Sequence, residues 1–279
     1  MDMKLELIVI PVTDVDRAKA FYVDQLGFKL EVDHQPNEHF RVVQATPVGS
    51  GCSIAFGTGI GEMPPGTMQG MHLVVPDIEA ALAELRGRGV TVDGPFHFTE
   101  TGQTPGLAPG RPDYGTFASI ADPDGNVWLV QEIASRGTGW RLEVVILPVA
   151  DVDRSKAFYS DQCGFAIHND HRAGDTFRVV QADPPGSACS VTFGVGIPSG
   201  TPGSVHGLHL VVTDIVAARD ELVARGVEVS EPYHFSMTGG RTEGVDPNGA
   251  DYATFAEFTD PDGNTLLLQQ VTGLEPVDG

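Results

Sequence analysis

A chain of 279 residues suits two domains of ordinary size, each able to bury a core without disulfide or metal staples. Its 38 acidic and 17 basic side chains leave a formal charge of −21 with no cluster of Lys and Arg, which argues against nucleic acid and anionic membrane surfaces as partners. Three cysteines, Cys52, Cys163 and Cys189, form no CxxC and suit a reducing cytoplasm, and the first apolar run is too short for a signal-peptide core or a membrane span.

Residues 5–12, rich in Ile and Val, read as a strand. Asp14 follows as a helix N-cap, and Val15, Ala18, Phe21, Tyr22 and Leu26 recur at helical spacing until Gly27 stops the helix. Residues 29–32, 40–45 and 53–57 are short and β-prone, so the first quarter reads βαβββ. Residues 58–70, rich in Gly and Pro, form a linker, and the same grammar restarts with a strand at 71–75 and a helix between Asp77 and Gly89. Three more strands follow near 90–92, 116–120 and 126–132, the last two joined by a tight turn at Asp122-Pro123-Asp124-Gly125. Residues 99–112 form a loop long enough to act as a lid over a site.

The sequence is a tandem duplication. Residues 12–28, VTDVDRAKAFYVDQLGF, return as residues 149–165, VADVDRSKAFYSDQCGF, with 13 of 17 positions identical at an offset of 137. His72 maps to His209 and His97 to His234 at the same offset, whereas the DPDG turns at Asp122 and Asp260 differ by 138, so one residue is inserted in the second long loop. The expected organisation is a first module at 1–135, a linker at 136–140 and a second module at 141–279, four βαβββ units in all. Whether the units pair within a module or exchange across the duplication is open at this level.

Paired βαβββ units with VxDxxRxxxFYxxxLGF after the first strand and DPDGN before the last closely resemble the vicinal oxygen chelate superfamily. That group includes glyoxalase I, the bleomycin-resistance proteins and the extradiol dioxygenases. The resemblance implies an α+β fold in which two units curl their strands into a cup-shaped mixed sheet, and, in the enzymes, a divalent metal held by His, Gln or Glu of the first and last strands. Here the corresponding positions are Leu7, Gly70, Leu129 and the neighbourhood of Ala55 in the first module, and Val144, Gly207 and Leu267 in the second. None of these side chains can coordinate a metal, so no cofactor and no metal ligand is expected.

Period-two alternation identifies what faces inward instead. If Gly70 faces the cup, so does His72, and likewise His209 after Gly207; on the last strands Leu129 shares a face with Gln131, and Leu267 with Gln269. His97 and His234, in PFHF and PYHF, have aromatic neighbours able to stack on a planar ligand. Arg41 and Gln44 recur as Arg178 and Gln181, and a separation of three puts them on opposite strand faces. The candidate ligand contacts are therefore His72, Gln131, His97, His209, Gln269 and His234. The expected function is metal-independent binding of a small, largely apolar or aromatic molecule by a cytoplasmic monomer or homodimer. The alternative is a glyoxalase-like enzyme, either metal-dependent or a metal-free isomerase or cyclase using His72 or His209.

Overall fold

The computed structural model describes residues 2–99, 102–236 and 240–273. The first half runs β1 (Lys4–Val9), α1 (Val15–Lys19), β2 (Lys29–Asn37), β3 (Phe40–Thr46), β4 (Ser53–Thr58), β5 (Met71–Val75), α2 (Ile78–Gly87), β6 (Asp93–Thr99), β7 (Gly102–Pro105), β8 (Thr116–Ala121) and β9 (Val127–Glu132). The second half repeats it as β10 (Arg141–Ile146), α3 (Val152–Ala157), β11 (Ala166–Ala173), β12 (Phe177–Asp183), β13 (Ser190–Val195), β14 (Leu208–Val212), α4 (Ile215–Ala224), β15 (Tyr233–Phe235), β16 (Arg241–Glu243), β17 (Thr254–Thr259) and β18 (Thr265–Gln270).

The helices start where local chemistry dictates. Asp14, Asp77, Asp151 and Asp214 each hold extended backbone and accept the N–H three residues on, at 3.0 to 3.1 Å. Beyond α1 and α3 the backbone widens into a π-helical turn, in which the Leu26 N–H reaches Phe21 O and the Cys163 N–H reaches Phe158 O, each at 2.9 Å. Gly27 and Gly164, at φ 76°, then release the chain.

Two compact units result, one of residues 9–146 and one of residues 1–8 with 147–279. In the first, a mixed sheet has the order β7-β6-β8-β9-β5-β10, with β5 parallel to β9 and the remaining pairs antiparallel, and β2-β3-β4 form an antiparallel meander. The second repeats this as β16-β15-β17-β18-β14-β1, with β11-β12-β13 as its meander. Each unit thus takes an edge strand from the other half of the repeat: β1 pairs with β14, and β10 with β5. Connection length explains the second pairing. Leaving β9, the chain needs to cross only β5, about 10 Å sideways at ~4.8 Å per strand, and residues 133–140 span that readily.

Two sequence expectations change here. Residues 90–92 are not a strand: Gly89 (φ 82°) ends α2, the Val90 N–H returns to Leu85 O at 3.0 Å, and Val90 is buried as the apolar contact that closes the helix. The long loop is partly structured, because β7 forms a hairpin with β6, from Phe96 opposite Pro105 to Thr99 opposite Gly102. Its Glu100 and Thr101 lie outside the described residues. The remainder is tied down by Arg111, which bonds Glu132 and, at 2.9 Å, Glu79.

The repeated motifs meet in the core. The Tyr22 hydroxyl donates to Asp122 at 2.7 Å, and Asp122 also accepts the N–H groups of Asp124 and Asn126 at 2.9 Å; Tyr159 and Asp260 repeat the arrangement at 2.9 Å. Trp128 is fully buried and donates its indole N–H to the Tyr22 oxygen at 3.3 Å. FY and DPDGN are thus one buried hydrogen-bonded cluster, and their recurrence reflects the fold.

Candidate ligand-binding faces

In each unit one sheet face packs against the helices and the other carries the candidate site. On β9, Trp128 and Val130 are buried on the helix side, so Leu129 and Gln131 belong to the opposite face, which His72 on β5 shares across from Leu129. The His72 Nδ1 lies 3.1 Å from Gln131 Oε1, and the Gln131 amide nitrogen donates to Tyr114 O at 3.3 Å. That second bond fixes the amide orientation, so Oε1 must accept and Nδ1 must carry the imidazole proton. The Nε2 lone pair then remains as an acceptor. The second unit repeats the relay, with His209 Nδ1 3.0 Å from Gln269 Oε1 and Gln269 donating to Tyr252 O at 2.9 Å.

Tyr114 and Tyr252 support the relay with unusual backbone. Their φ angles of 66° and 64° are left-handed, which costs a non-glycine residue about 1–2 kcal/mol. Both are locked there by N–H bonds to Glu132 O and Gln270 O, at 3.0 and 2.8 Å. The strain aims a carbonyl at the glutamine and leaves the phenol ring exposed.

Burial keeps both imidazoles neutral. It lowers His72 from its ordinary value to about 4, opposed by the Gln131 bond, and it moves His209 in the same direction, opposed by the Gln269 bond. An imidazole whose titration is pushed down is a weaker proton acceptor at neutral pH, so the geometry suits hydrogen bonding better than general-base chemistry.

Next to each imidazole stands an aromatic ladder. Phe96 and Phe117 stack at 6.1 Å and 18°, Phe98 meets Phe117 edge-on at 5.4 Å, and Phe117 meets His72 at 6.3 Å. In the other unit Tyr233 stacks on Phe255 at 5.8 Å and 29°, with Phe235 and His209 edge-on to Phe255. Phe98 and Phe235 are 58% and 56% exposed, so each ladder opens to solvent at one end.

The candidates from sequence fall into two groups. His72 and Gln131 come together, as do His209 and Gln269. His97 and His234 point away from these faces: alternation along β6 and β15 sets them opposite their aromatic neighbours, with Nδ1 3.0 Å from Gly106 O and 2.9 Å from Gly244 O. The aromatic neighbours form the wall without them. Arg41 also faces away, held by Asp33 at 2.9 and 3.0 Å and by Asp16 at 2.8 Å, whereas Gln44 lies on the opposite face of β3.

Glu6 and Glu143 escaped the sequence reading. A β-bulge puts both Glu6 and Leu7 opposite His209 where a regular strand would put one residue, and a matching irregularity sets Glu143 beside Val144 opposite His72. Both acids are half-buried, and burial raises their titration, opposed by Lys4 at Glu6 and by Arg136 and Arg141 at Glu143. The signal was present: a lone Glu in an apolar strand, KLELIV and RLEVVI, kept at the 137 offset.

Among the described residues no group of three or more His, Cys, Asp or Glu side chains converges as metal donors would. The three cysteines are buried thiols outside any disulfide. No described helix is long and apolar enough to cross a membrane.

Strand order, duplication and helix placement together define a tandem glyoxalase-like α+β protein. The chain belongs to the Glyoxalase/Bleomycin resistance protein/Dioxygenase superfamily, whose family profile matches residues 4–130 and 141–268. It is similar in fold to glyoxalase I from Zea mays, with a TM-score of 0.72 over 96% of this chain and 92% of that one at 17% identity. YetH, an uncharacterized protein of Bacillus subtilis (strain 168), is 24% identical over 131 residues, 47% of this chain and 98% of its own. TnmS3, an antibiotic binding protein from Streptomyces sp. CB03234, is 37% identical over 46% of this chain and 93% of its own, with a TM-score of 0.37.

Proposed function

We propose that each unit binds, without a metal, a small and largely apolar aromatic molecule on the face that carries the His–Gln relay. The observation behind this reading is the open aromatic ladder bordered by an imidazole whose tautomer is fixed. A planar ligand lies along Phe98 and Phe117, or Phe235 and Phe255, and offers a hydroxyl or N–H to Nε2 of His72 or His209. A mostly apolar surface with a few oriented polar groups is the general composition of small-molecule sites. Each face holds its ligand without transforming it.

The test is isothermal titration of the full chain with 2-naphthol. Binding is expected, and the double variant F98A/F235A should weaken it about tenfold by removing stacking from both ladders. Because both rings are more than half exposed, the variant should keep the wild-type thermal midpoint. No heat of binding up to the solubility of the probe, or an affinity unchanged in the double variant, would refute the reading.

A further inference from the structure

The two faces share the relay and the ladder, but the strands beside them have diverged in charge. In the unit of residues 9–146 the ladder is flanked by Ser119, opposite Leu129, and by Gln103, opposite Phe98. The register of the second unit puts Glu257 opposite Leu267 and Arg241 opposite Phe235, while Phe96 is replaced by Tyr233. An uncharged aromatic floor in one copy is therefore edged by an ion pair in the other.

The geometry of that pair is specific. The Arg241 guanidinium lies over the Tyr233 ring with its carbon 3.6 Å from the centroid, and its Nη1 is 2.8 Å from Glu257 Oε1. Stacking holds the guanidinium plane beside the ladder. The side chains of Arg241 and Glu257 are 48% and 45% exposed, and an ion pair so open to water contributes little and exchanges readily. An incoming carboxylate can replace Glu257 on the guanidinium and gain a two-point contact there. With a formal charge of −21, the protein repels anions at long range, so a fixed guanidinium on an aromatic face has a clear selective role.

Resting on the binding reading above, we propose that the two faces take different ligands. The face of β14 to β18 selects an aromatic carboxylate through Arg241, with Glu257 holding the guanidinium in place when no ligand is bound. The face built on β5, β6, β8 and β9 takes the uncharged aromatic.

The experiment uses two isosteric probes, 2-naphthoate and 2-naphthamide, titrated into the full chain and into variants carrying the other copy's residues. R241Q should weaken 2-naphthoate about tenfold and leave 2-naphthamide within about twofold. E257S should tighten 2-naphthoate severalfold, since it removes the competing carboxylate. F98A should weaken 2-naphthamide alone. If R241Q leaves the ratio of the two affinities unchanged, or if 2-naphthamide binds and 2-naphthoate does not, the assignment of Arg241 is overturned while binding itself stands. If neither probe binds wild-type protein, the binding reading fails and this inference with it.

Discussion

Acidification provides a direct test of the half-buried His72 imidazole. In the unfolded chain His72 protonates near 6.5, whereas in the folded protein burial holds that step down to about 4. Above pH 6.5 the residue is neutral in both states and contributes nothing to the pH dependence. As pH falls from about 6.5 to about 4, the unfolded chain takes up a proton that the folded chain refuses, so stability is lost steadily through this window. At ~1.36 kcal/mol per pH unit the loss reaches roughly 3 kcal/mol, and below pH 4 it grows no further. His72→Gln keeps a donor for Gln131 and cannot titrate, which isolates the effect from the acidification of carboxylates common to both proteins. The assay is urea unfolding between pH 7 and 4.5 followed by tryptophan fluorescence, because both Trp128 and Trp140 lie within residues 9–146. The stability difference between wild type and H72Q should move in favour of the variant by roughly 2.5 kcal/mol across that range, at ~1.36 kcal/mol per pH unit below 6.5. A difference that stays flat with pH, or a His72 ring-proton resonance of folded protein, assigned by its loss in H72Q, titrating near 6.5, would refute the burial argument.

Tyr22→Phe removes a buried donor from the Asp122 carboxylate and strands the Trp128 indole N–H, so it should cost about 3 kcal/mol in urea unfolding. Tyr159→Phe removes one bond with no tryptophan behind it and should cost about 2 kcal/mol; equal effects would contradict the role of the indole. Arg111→Ala leaves the buried Glu132 carboxylate without its cation and should lower the urea midpoint. The double variant R111G/E132Q installs the pair that the second copy carries as Gly249 and Gln270, and its urea midpoint should lie closer to wild type than that of R111A. If the double variant is as unstable as R111A, the damage comes from the lost loop tether and not from an uncompensated charge.

Much of this molecule was legible in short stretches of sequence because the determinants are local. Aspartate caps, the glycines that end α1 and α3, the DPDG turns and the run of strands depend on neighbours within a few residues, and the duplication confirmed them twice. His72 with Gln131, and His209 with Gln269, were reachable because alternation along a strand assigns a face without knowledge of its partners. Alternation also carried a warning about His97, whose neighbours Phe96 and Phe98 necessarily face the other way.

Tertiary structure decided the features that depend on residues far apart. The strands KLELIV and RLEVVI are nearly interchangeable, so no local signal says which edge each completes, and the chain connections settle it. The bulges that bring Glu6 and Glu143 opposite the imidazoles are mismatches between two strands and exist only once those strands pair. The ion pair of Arg241 and Glu257 joins two strands through the ring of a third residue on β15, a contact that no spacing along the chain encodes. Backbone periodicity is thus written in sequence, whereas the chemistry of the two faces arises where separate strands meet.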